Sequence, residues 1–444
     1  MAKRNWPPDE GFSGYFHTDR PAEDAELTHV EPGTPGGEFL RRFWQPVAMA
    51  REIDDMPLRV RLLGEDLVLF RDGGGRWGLV HRNCVHRRAP MEYARPEERG
   101  LRCCYHGWLF DVDGTLLEAP LEPADSKLPG NLCQPAYPVR EYRGLVFAYL
   151  GPPDERPPFP IFDTYEIPGG EMVPFAIDIE CNWLQITENS IDPSHTVYLH
   201  TRSYGTQFFE TWGEAPLLDF HEREHGFMFT STRRVGDHVW VRSQDLLLPN
   251  MTQGGTVSTG DGKTPRAFAR SGYTRWQTPL DTRHTRIMGW RHFNDISDPF
   301  EQGLDDPAVI EAQEIGEIRA RPWEERRRNP GDYEIFLGLG PVSIHAKERL
   351  ASTDRGVAML RRKLRKGIRA LAAGEVPARP GGDEFQPIPS FGGDTVVRAP
   401  KPGNGGDEAL MREIATKVTD LYFDGADRSL AERRAMVADA FNLG

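Results

Sequence analysis

Cysteine is scarce, with five in 444 residues, at positions 84, 103, 104, 133 and 181. So odd and sparse a set excludes a disulfide scaffold and fits a reducing compartment. Long hydrophobic runs are missing as well. The longest, Leu145–Leu150, falls far short of the roughly 20 residues that span a bilayer. The opening residues, Met1-Ala-Lys-Arg-Asn-Trp6, lead into Pro, Asp and Glu with no apolar signal region. A cytoplasmic protein without a membrane anchor is the expectation. Positive charge is in deficit too: the formal net charge of −13 disfavours nucleic acid as the main partner. What the chain has in plenty is glycine (45) and proline (37). That predicts many turns and argues against an all-helical bundle. A hydrophobic content of 38% with 10% aromatics supports a folded core rather than disorder, and the length suggests about two to three domains.

Residues 1–40 are polar and rich in Pro and Gly, and predict an extended arm. From Trp44 to Gly151 the pattern is strand and turn. Leu58-Arg-Val-Arg-Leu alternates apolar and charged residues, as a half-buried strand does. Leu67-Val-Leu-Phe, Trp77-Gly-Leu-Val and Leu145-Val-Phe-Ala-Tyr-Leu follow as further strands. Gly151–Pro160 holds five prolines in ten residues, which neither a central strand nor a helix can accommodate. It separates a first domain, 41–155, from a second, 156–444. In the second, Phe227-Met-Phe, His238-Val-Trp-Val and Arg286-Ile-Met-Gly-Trp read as strands of another sheet. Val357, Leu360, Leu364, Ile368 and Leu371 mark one face of an amphipathic helix. Residues 374–406 read as a surface excursion and Asp407–Leu443 as two helices, with Leu410, Ile414, Val418 and Leu421 on one face.

Three of the five cysteines fall within 21 residues, with two histidines beside them, in Cys84-Val-His86 and Cys103-Cys-Tyr-His106. Each half supplies one thiolate and one imidazole from a tight loop. Two such loops face to face sort two sulfurs and two nitrogens onto different metals. A [2Fe–2S] cluster with two Cys on one iron and two His on the other is the Rieske arrangement. The competing reading is a structural Cys₂His₂ zinc site, although zinc fingers usually pair Cys with Cys and His with His. Cys104, Cys133 and Cys181 are left as packing residues.

The string Cys84-Val-His86-Arg87 … Cys103-Cys104-Tyr105-His106-Gly107-Trp108 resembles the signature of bacterial Rieske non-haem iron oxygenases. Its Cys-Cys-Tyr-His-Gly-Trp form is similar to the phthalate dioxygenase and aromatic O-demethylase group. The resemblance implies an α+β chain: an all-β Rieske domain followed by a larger catalytic domain with an antiparallel sheet flanked by helices.

A second constellation lies at Glu188-Asn-Ser-Ile-Asp192-Pro-Ser-His195-Thr-Val-Tyr-Leu-His200. Two histidines with acidic residues nearby suit a two-histidine, one-carboxylate iron site, which leaves positions open for oxygen and substrate. On a straight α-helix, residues five apart point roughly 140° away from each other. The helix must therefore break or widen between His195 and His200 if both are to bind one metal, and Asp192-Pro193 offers a break or a fresh start. By resemblance, His195 and His200 are iron ligands. Asp192 is the carboxylate that bridges to a Rieske histidine of a neighbouring subunit, and Asn189 lies near the metal. Candidates for the third ligand are Asp295, Asp298, Asp306, Asp332 and Asp354. Asp354 is favoured, because it opens the amphipathic helix and sits in an Asp-x-Gly-Val segment like the family's.

The resemblance further implies a homotrimer, single or stacked, and a Rieske cluster and a mononuclear Fe(II) that together use O2. Electrons come from an NAD(P)H-dependent reductase, with or without a ferredoxin. The chain shows no GxGxxG of its own that opens a helix after a strand. Ring hydroxylation of an aromatic acid is the expected reaction and O-demethylation of a methoxyaromatic the alternative. From another class, an electron carrier or zinc-binding protein without oxygenase activity remains to be weighed. Arg233, Arg234, Arg275 or Arg291 could meet a substrate carboxylate. Arg82, Arg87, Arg88, Arg95, Arg99 and Arg102 form a locally basic stretch that could steer an acidic electron donor.

Overall fold

The computed structural model describes residue 14 and residues 18–167, 169–255, 261–270, 272–293, 321–381, 387–403 and 405–443. The first third is built of short antiparallel strands. Leu58–Leu62, Glu65–Arg71, Trp77–His81 and Ala136–Tyr137 form one four-stranded sheet, in that order. Arg95–Pro96, Leu101–Arg102, Leu109–Phe110 and Leu116–Glu118 form a second. Gln45–Met49, Leu145–Ala148 and Val139–Tyr142 make a three-stranded third. The alternation in Leu58–Leu62 is realised: Val60 and Leu62 point inward, Arg59 and Arg61 outward. Leu63 and Gly64, both at positive φ, close the hairpin that follows, as a tight two-residue turn requires.

The larger second part is organised on a nine-stranded antiparallel sheet. Its path runs Glu171–Ile179, His284–Phe293, Tyr273–Asp281, Met251–Gly254, His238–Leu247, Gly226–Val235 and Leu217–Arg223. Gly393–Arg398 pairs with both His238–Leu247 and Arg266–Arg270. This corrects the reading of 374–406 as a surface excursion. Thr395-Val-Val is a short β-branched run, fully buried or nearly so, and such residues suit a pleated sheet despite the surrounding glycines and prolines.

Helices cover the sheet. Arg355–Ala372 buries Val357, Leu360, Leu364 and Ile368, the face the periodicity indicates. Asp407–Asp424 and Leu430–Phe441 are the two expected C-terminal helices, and Ile414 and Val418 of the first pack on Met228, Val239 and Val241 of the sheet. The helix Trp183–Ser190 is almost wholly buried and shares one apolar core with Leu62, Leu67, Leu246 and Leu360. Full burial of a side chain such as Leu360 stabilises by about 1.5–3 kcal/mol, and residues from both parts of the chain contribute to this one core. The architecture is α+β, with an all-β N-terminal domain and a larger α+β domain. No helix among the described residues is long and apolar enough to cross a membrane.

Candidate metal centres

The two Cys/His loops repeat each other in backbone geometry. Cys84 N–H donates to Ala89 O and Arg88 N–H returns to Cys84 O; Cys103 N–H donates to Trp108 O and Gly107 N–H returns to Cys103 O, all at 2.8–3.1 Å. Four residues past each cysteine the chain turns left-handed, at Arg88 (φ 64°) and Gly107 (φ 73°). That conformation is easy for glycine and uncommon for arginine. Both thiols are buried and face each other. The N–H groups of His86 and Arg87 point at the Cys84 sulfur, and those of Tyr105 and His106 at the Cys103 sulfur. The hydrogen bond between them draws the Cys103 thiol down and, together with burial, pushes the Cys84 thiol up. On the outer side the His86 and His106 rings lie 4.6 Å apart, and His86 stacks on Trp108 at 4.3 Å. Gln134, fully buried, clips the first loop in place: its carbonyl accepts from Val85 N–H, and its amide donates to His81 O and Asn83 O.

This donor set separates the two readings of the motif. A tetrahedral zinc ion needs its ligand atoms gathered around one point. Among the described residues, the sets of three donors within 4.8 Å of one another are His195/His200/Asp332 and Glu188/His345/Glu348. No three of Cys84, His86, Cys103 and His106 form such a set. Paired sulfurs inside and paired imidazoles outside fit the two irons of a Rieske cluster.

The second centre begins at the helix Trp183–Ser190, which Asn182 caps by accepting from Leu184 N–H. The chain then turns at Asp192-Pro193, where Ser194 N–H donates to Asp192 Oδ1. A short α-turn, His195–Val197, passes into a π-helix, Tyr198–Arg202. Ser203 N–H reaches back five residues to Tyr198 O. This is the widening that the five-residue spacing demands: the His195 and His200 rings come to 5.3 Å between centroids. π-turns of this kind are rare and frequently mark functional sites.

Each imidazole is held by its Nδ1. His195 Nδ1 bonds to the Asp192 carbonyl, an acceptor only, so Nδ1 carries the proton. His200 Nδ1 lies 2.7 Å from Gln207 Oε1. The Gln207 amide nitrogen is engaged with Asn329 Oδ1 at 3.0 Å and Pro330 O at 2.9 Å. Pro330 O can only accept, which orients the amide and puts the proton on His200 Nδ1 as well. Nε2 of each ring is therefore the atom left to face the site. The two face one carboxylate oxygen, Asp332 Oδ1, at 3.5 Å from His195 and 3.3 Å from His200. Asn189 completes the cluster, its amide nitrogen 3.2 Å from Asp332 Oδ1 and 3.4 Å from His195 Nε2. Burial alone would raise the Asp332 pKa, but the bond from His200 and the charges of His195, His200 and Arg275 drive it far below the usual carboxylate range. For His195 burial works downward, and Asp192 and Asp332 outweigh it, so its pKa is raised. Although Asp332 lies deep in the fold, its side chain keeps 37% of its surface accessible, which leaves one side of the donor set open.

The carboxylate that the structure brings to the two histidines is not the favoured Asp354. Asp354 does not face the histidines. Its Oδ2 accepts from Ala351 N–H at 2.6 Å, in the turn that starts the helix Arg355–Ala372. Asp332, the first residue of the helix Asp332–Gly338, stands in its place. Nothing local in Asn329-Pro-Gly-Asp332 distinguishes it from the other aspartates. What brings it here is tertiary. From one face of Trp183–Ser190, Gln185 donates to Phe336 O and Gly340 O while Asn189 donates to Asp332. Asp295, Asp298 and Asp306 lie outside the described residues. Gln207 and Gln134 gave no signal in the sequence.

Other expected residues also find their places. Asp192 Oδ2 is 3.8 Å from His195 Nδ1. Cys181 is buried, and burial pushes its thiol up to about 12, whereas Cys104 and Cys133 are exposed rather than packed. Of the arginines near the cluster loops, Arg82 pairs with Glu92, Arg99 with Asp111, and Arg102 with Glu97 and Glu118, so the stretch is less basic than its sequence. Arg234 pairs with Asp407. Arg233 lies between Trp212 and Trp240 and donates to Thr196 Oγ1, beside His195. Arg275 reaches Ser190 Oγ at 3.4 Å and lies over Tyr273, and its Nε is buried without a hydrogen-bond partner.

A two-loop Cys/His centre on a β domain, ahead of a two-histidine, one-carboxylate centre on an α+β domain, defines a Rieske-type non-haem iron oxygenase. Residues 43–141 match the family model for the Rieske [2Fe-2S] domain. Over 434 residues the chain is 40% identical to the tert-butanol monooxygenase / tert-amyl alcohol desaturase oxygenase subunit of Aquincola tertiaricarbonis, covering 93% of this chain and 91% of that one. It is 37% identical to the phenoxybenzoate dioxygenase subunit alpha of Ectopseudomonas oleovorans, covering 80% and 87%. The solved structure of the Pseudomonas putida CBB5 NdmA QL mutant with caffeine shares the fold, with a TM-score of 0.61, 21% identity and coverage of 77% and 94%. The chain belongs to the Rieske non-haem iron oxygenases, as an oxygenase subunit. It is an oxidoreductase that uses O2, a Rieske [2Fe–2S] cluster and a mononuclear iron, and not a lone electron carrier.

Proposed function

We propose that His195, His200 and Asp332 hold the mononuclear iron, and that Cys84, His86, Cys103 and His106 hold the cluster. The observation that carries the iron assignment is the pair of imidazoles whose protons are fixed on Nδ1 while both Nε2 atoms converge on one carboxylate. Iron bound there supplies the open coordination positions and redox chemistry that dioxygen activation needs. The chain's residues do the rest. Asp192 and Gln207 fix the two rings. Asn189 donates to Asp332 and restricts how that carboxylate can turn. Arg275, whose charge reaches Asp332, orients the carboxylate of a small aromatic acid for ring hydroxylation.

The outward-facing His86 and His106 and the position of Asp192 behind His195 support an electron path between subunits. In a closed ring of three, the cluster of one chain would meet Asp192 of the next. An NAD(P)H-dependent reductase, directly or through a ferredoxin, would supply the cluster in the cytoplasm. Residues 41–155 would be the Rieske domain and 156–444 the catalytic domain; the helices Ala25–Thr28 and Pro35–Leu40 bury Leu27, Phe39 and Leu40 in the shared apolar core, so this stretch packs there instead of extending as an arm. A second substrate reading comes from the 40% identical relative, whose name specifies tertiary alcohols; hydroxylation of a small saturated alcohol would use the same iron.

Turnover with a reductase partner on aromatic acids, methoxyaromatics and tertiary alcohols, with products read by mass, decides among ring hydroxylation, O-demethylation and hydroxylation of a tertiary alcohol. Iron analysis should give about three per chain. A value of about two, with the cluster spectrum intact, would refute the mononuclear assignment.

A further inference from the structure

We propose that Gln207 is the positioning residue of the iron centre, a single amide that sets both the proton on His200 and the loop that carries Asp332. The inference rests on the reading of His200 and Asp332 as ligands. Gln207 lies in the loop between the π-helix Tyr198–Arg202 and the turn at Glu210–Gly213. It holds His200 twice: its own N–H donates to His200 O at 2.9 Å, and its Oε1 accepts from His200 Nδ1 at 2.7 Å. Its amide nitrogen has two hydrogens, and both are used on the other donor strand, at Asn329 Oδ1 and Pro330 O. Asp332 follows two residues later.

The consequence is geometric. The two donors His200 and Asp332 lie far apart in the chain, and one planar group spans them. The tautomer and the spacing are coupled. The amide can hold Pro330 O only with its nitrogen turned that way, and its oxygen then faces His200. A flipped amide would lose both. Around it, Arg321 donates to Asn329 O and Glu334 accepts from Gly331 N–H, so the 329–332 turn is bonded on each side, and Gln207 ties its 329–330 end to the Nδ1 side of His200. Partners beyond the ligands commonly change metal affinity by about 10–100-fold when removed.

The two functions of the amide are separable by substitution. In Gln207→Glu the carboxylate still accepts from His200 Nδ1–H but has no hydrogen for Pro330 O. In Gln207→Leu both bonds are lost. The test uses the full chain with its cluster in place and the mononuclear site emptied by a chelator. Co(II) affinity and its visible spectrum report on the histidine, and hydrogen exchange over 329–338 reports on the loop. The expected result is a 10–100-fold weaker Co(II) affinity in Gln207→Leu with faster exchange over 329–338. Gln207→Glu should recover most of the wild-type Co(II) spectrum while its exchange stays fast. Unchanged far-UV circular dichroism and cluster absorption in both variants show that both domains keep their fold. Wild-type affinity in Gln207→Leu, or a Gln207→Glu variant indistinguishable from Gln207→Leu in both readouts, would overturn the proposal. His200→Ala and Asp332→Ala in parallel test the underlying reading: if they bind Co(II) as the wild type does, the ligand assignment itself fails, whatever Gln207 does.

Discussion

Between Cys84 and Trp108 the donors hang from two loops that match bond for bond, each closed by its own backbone and set among the short strands of one β domain. His195, His200 and Asp332 come instead from a π-turn and from the start of a helix more than a hundred residues further on. Among the described residues no backbone ladder joins those two pieces; side-chain amides do. The first centre is therefore a local object, whose geometry is written in consecutive residues. The second is a tertiary object, which exists only once Trp183–Ser190 has packed and Gln185, Asn189 and Gln207 have found their carbonyls.

The sharpest way to break this comparison is at Asp332. Asp332→Ala removes the one carboxylate that both Nε2 atoms face. Loss of the mononuclear iron and of oxygenase turnover is expected, by at least about a hundredfold, with the cluster's absorption and EPR signal unchanged. Metal analysis beside turnover reads both. Retention of the third iron would mean that the convergence of the three side chains has another purpose.

The mirror experiment is Cys103→Ser. It should remove the cluster and so electron delivery, yet leave the other site able to take up Co(II), since that site shares no bond with the loops. If Co(II) binding fell as well, the two centres would not be independent objects.

This contrast also explains what was legible before the structure. Cys84, His86, Cys103 and His106 were readable because motif and geometry coincide over a few residues. His195 and His200 were readable with a condition attached, that the helix widen, and the π-helix meets it. Asp332 was only one of five aspartates, because what selects it is Asn189 and Gln207, and no spacing rule links them to it. The same holds for the fold. Amphipathic helices and alternating strands such as Leu58–Leu62 were visible in their periods, while Gly393–Arg398, a six-residue strand in a Gly/Pro-rich stretch, owes its place to partners far away in sequence.

Gln134 tests the local side of the comparison, since it is the fully buried side-chain clip on the first loop. Gln134→Leu would leave Val85 N–H and the carbonyls of His81 and Asn83 without their partner. Each orphaned buried group costs about 1–3 kcal/mol. A clear fall in Tm and a more readily lost cluster are expected, with Co(II) binding at the other site untouched. If the cluster were as stable as in the wild type, the backbone bonds would suffice by themselves, and the first centre would be even more local than described.

The smallest effect is expected at Asp354, and it bears on the assignment most open to confusion. Its carboxylate caps the turn before Arg355–Ala372 through Ala351 N–H. The helix itself is secured elsewhere, by its buried face and by Arg361, which donates to Glu188 and Glu348. Removing a cap costs typically about 1 kcal/mol. Asp354→Ala should therefore lower Tm by a few degrees at most, with full iron content and near-normal turnover. An Asp354→Ala variant that lost its mononuclear iron while Asp332→Ala kept it would reverse the two roles. The helix start at 354 would then be the metal-bearing one, and the amides that gather around Asp332 would be only a means of packing.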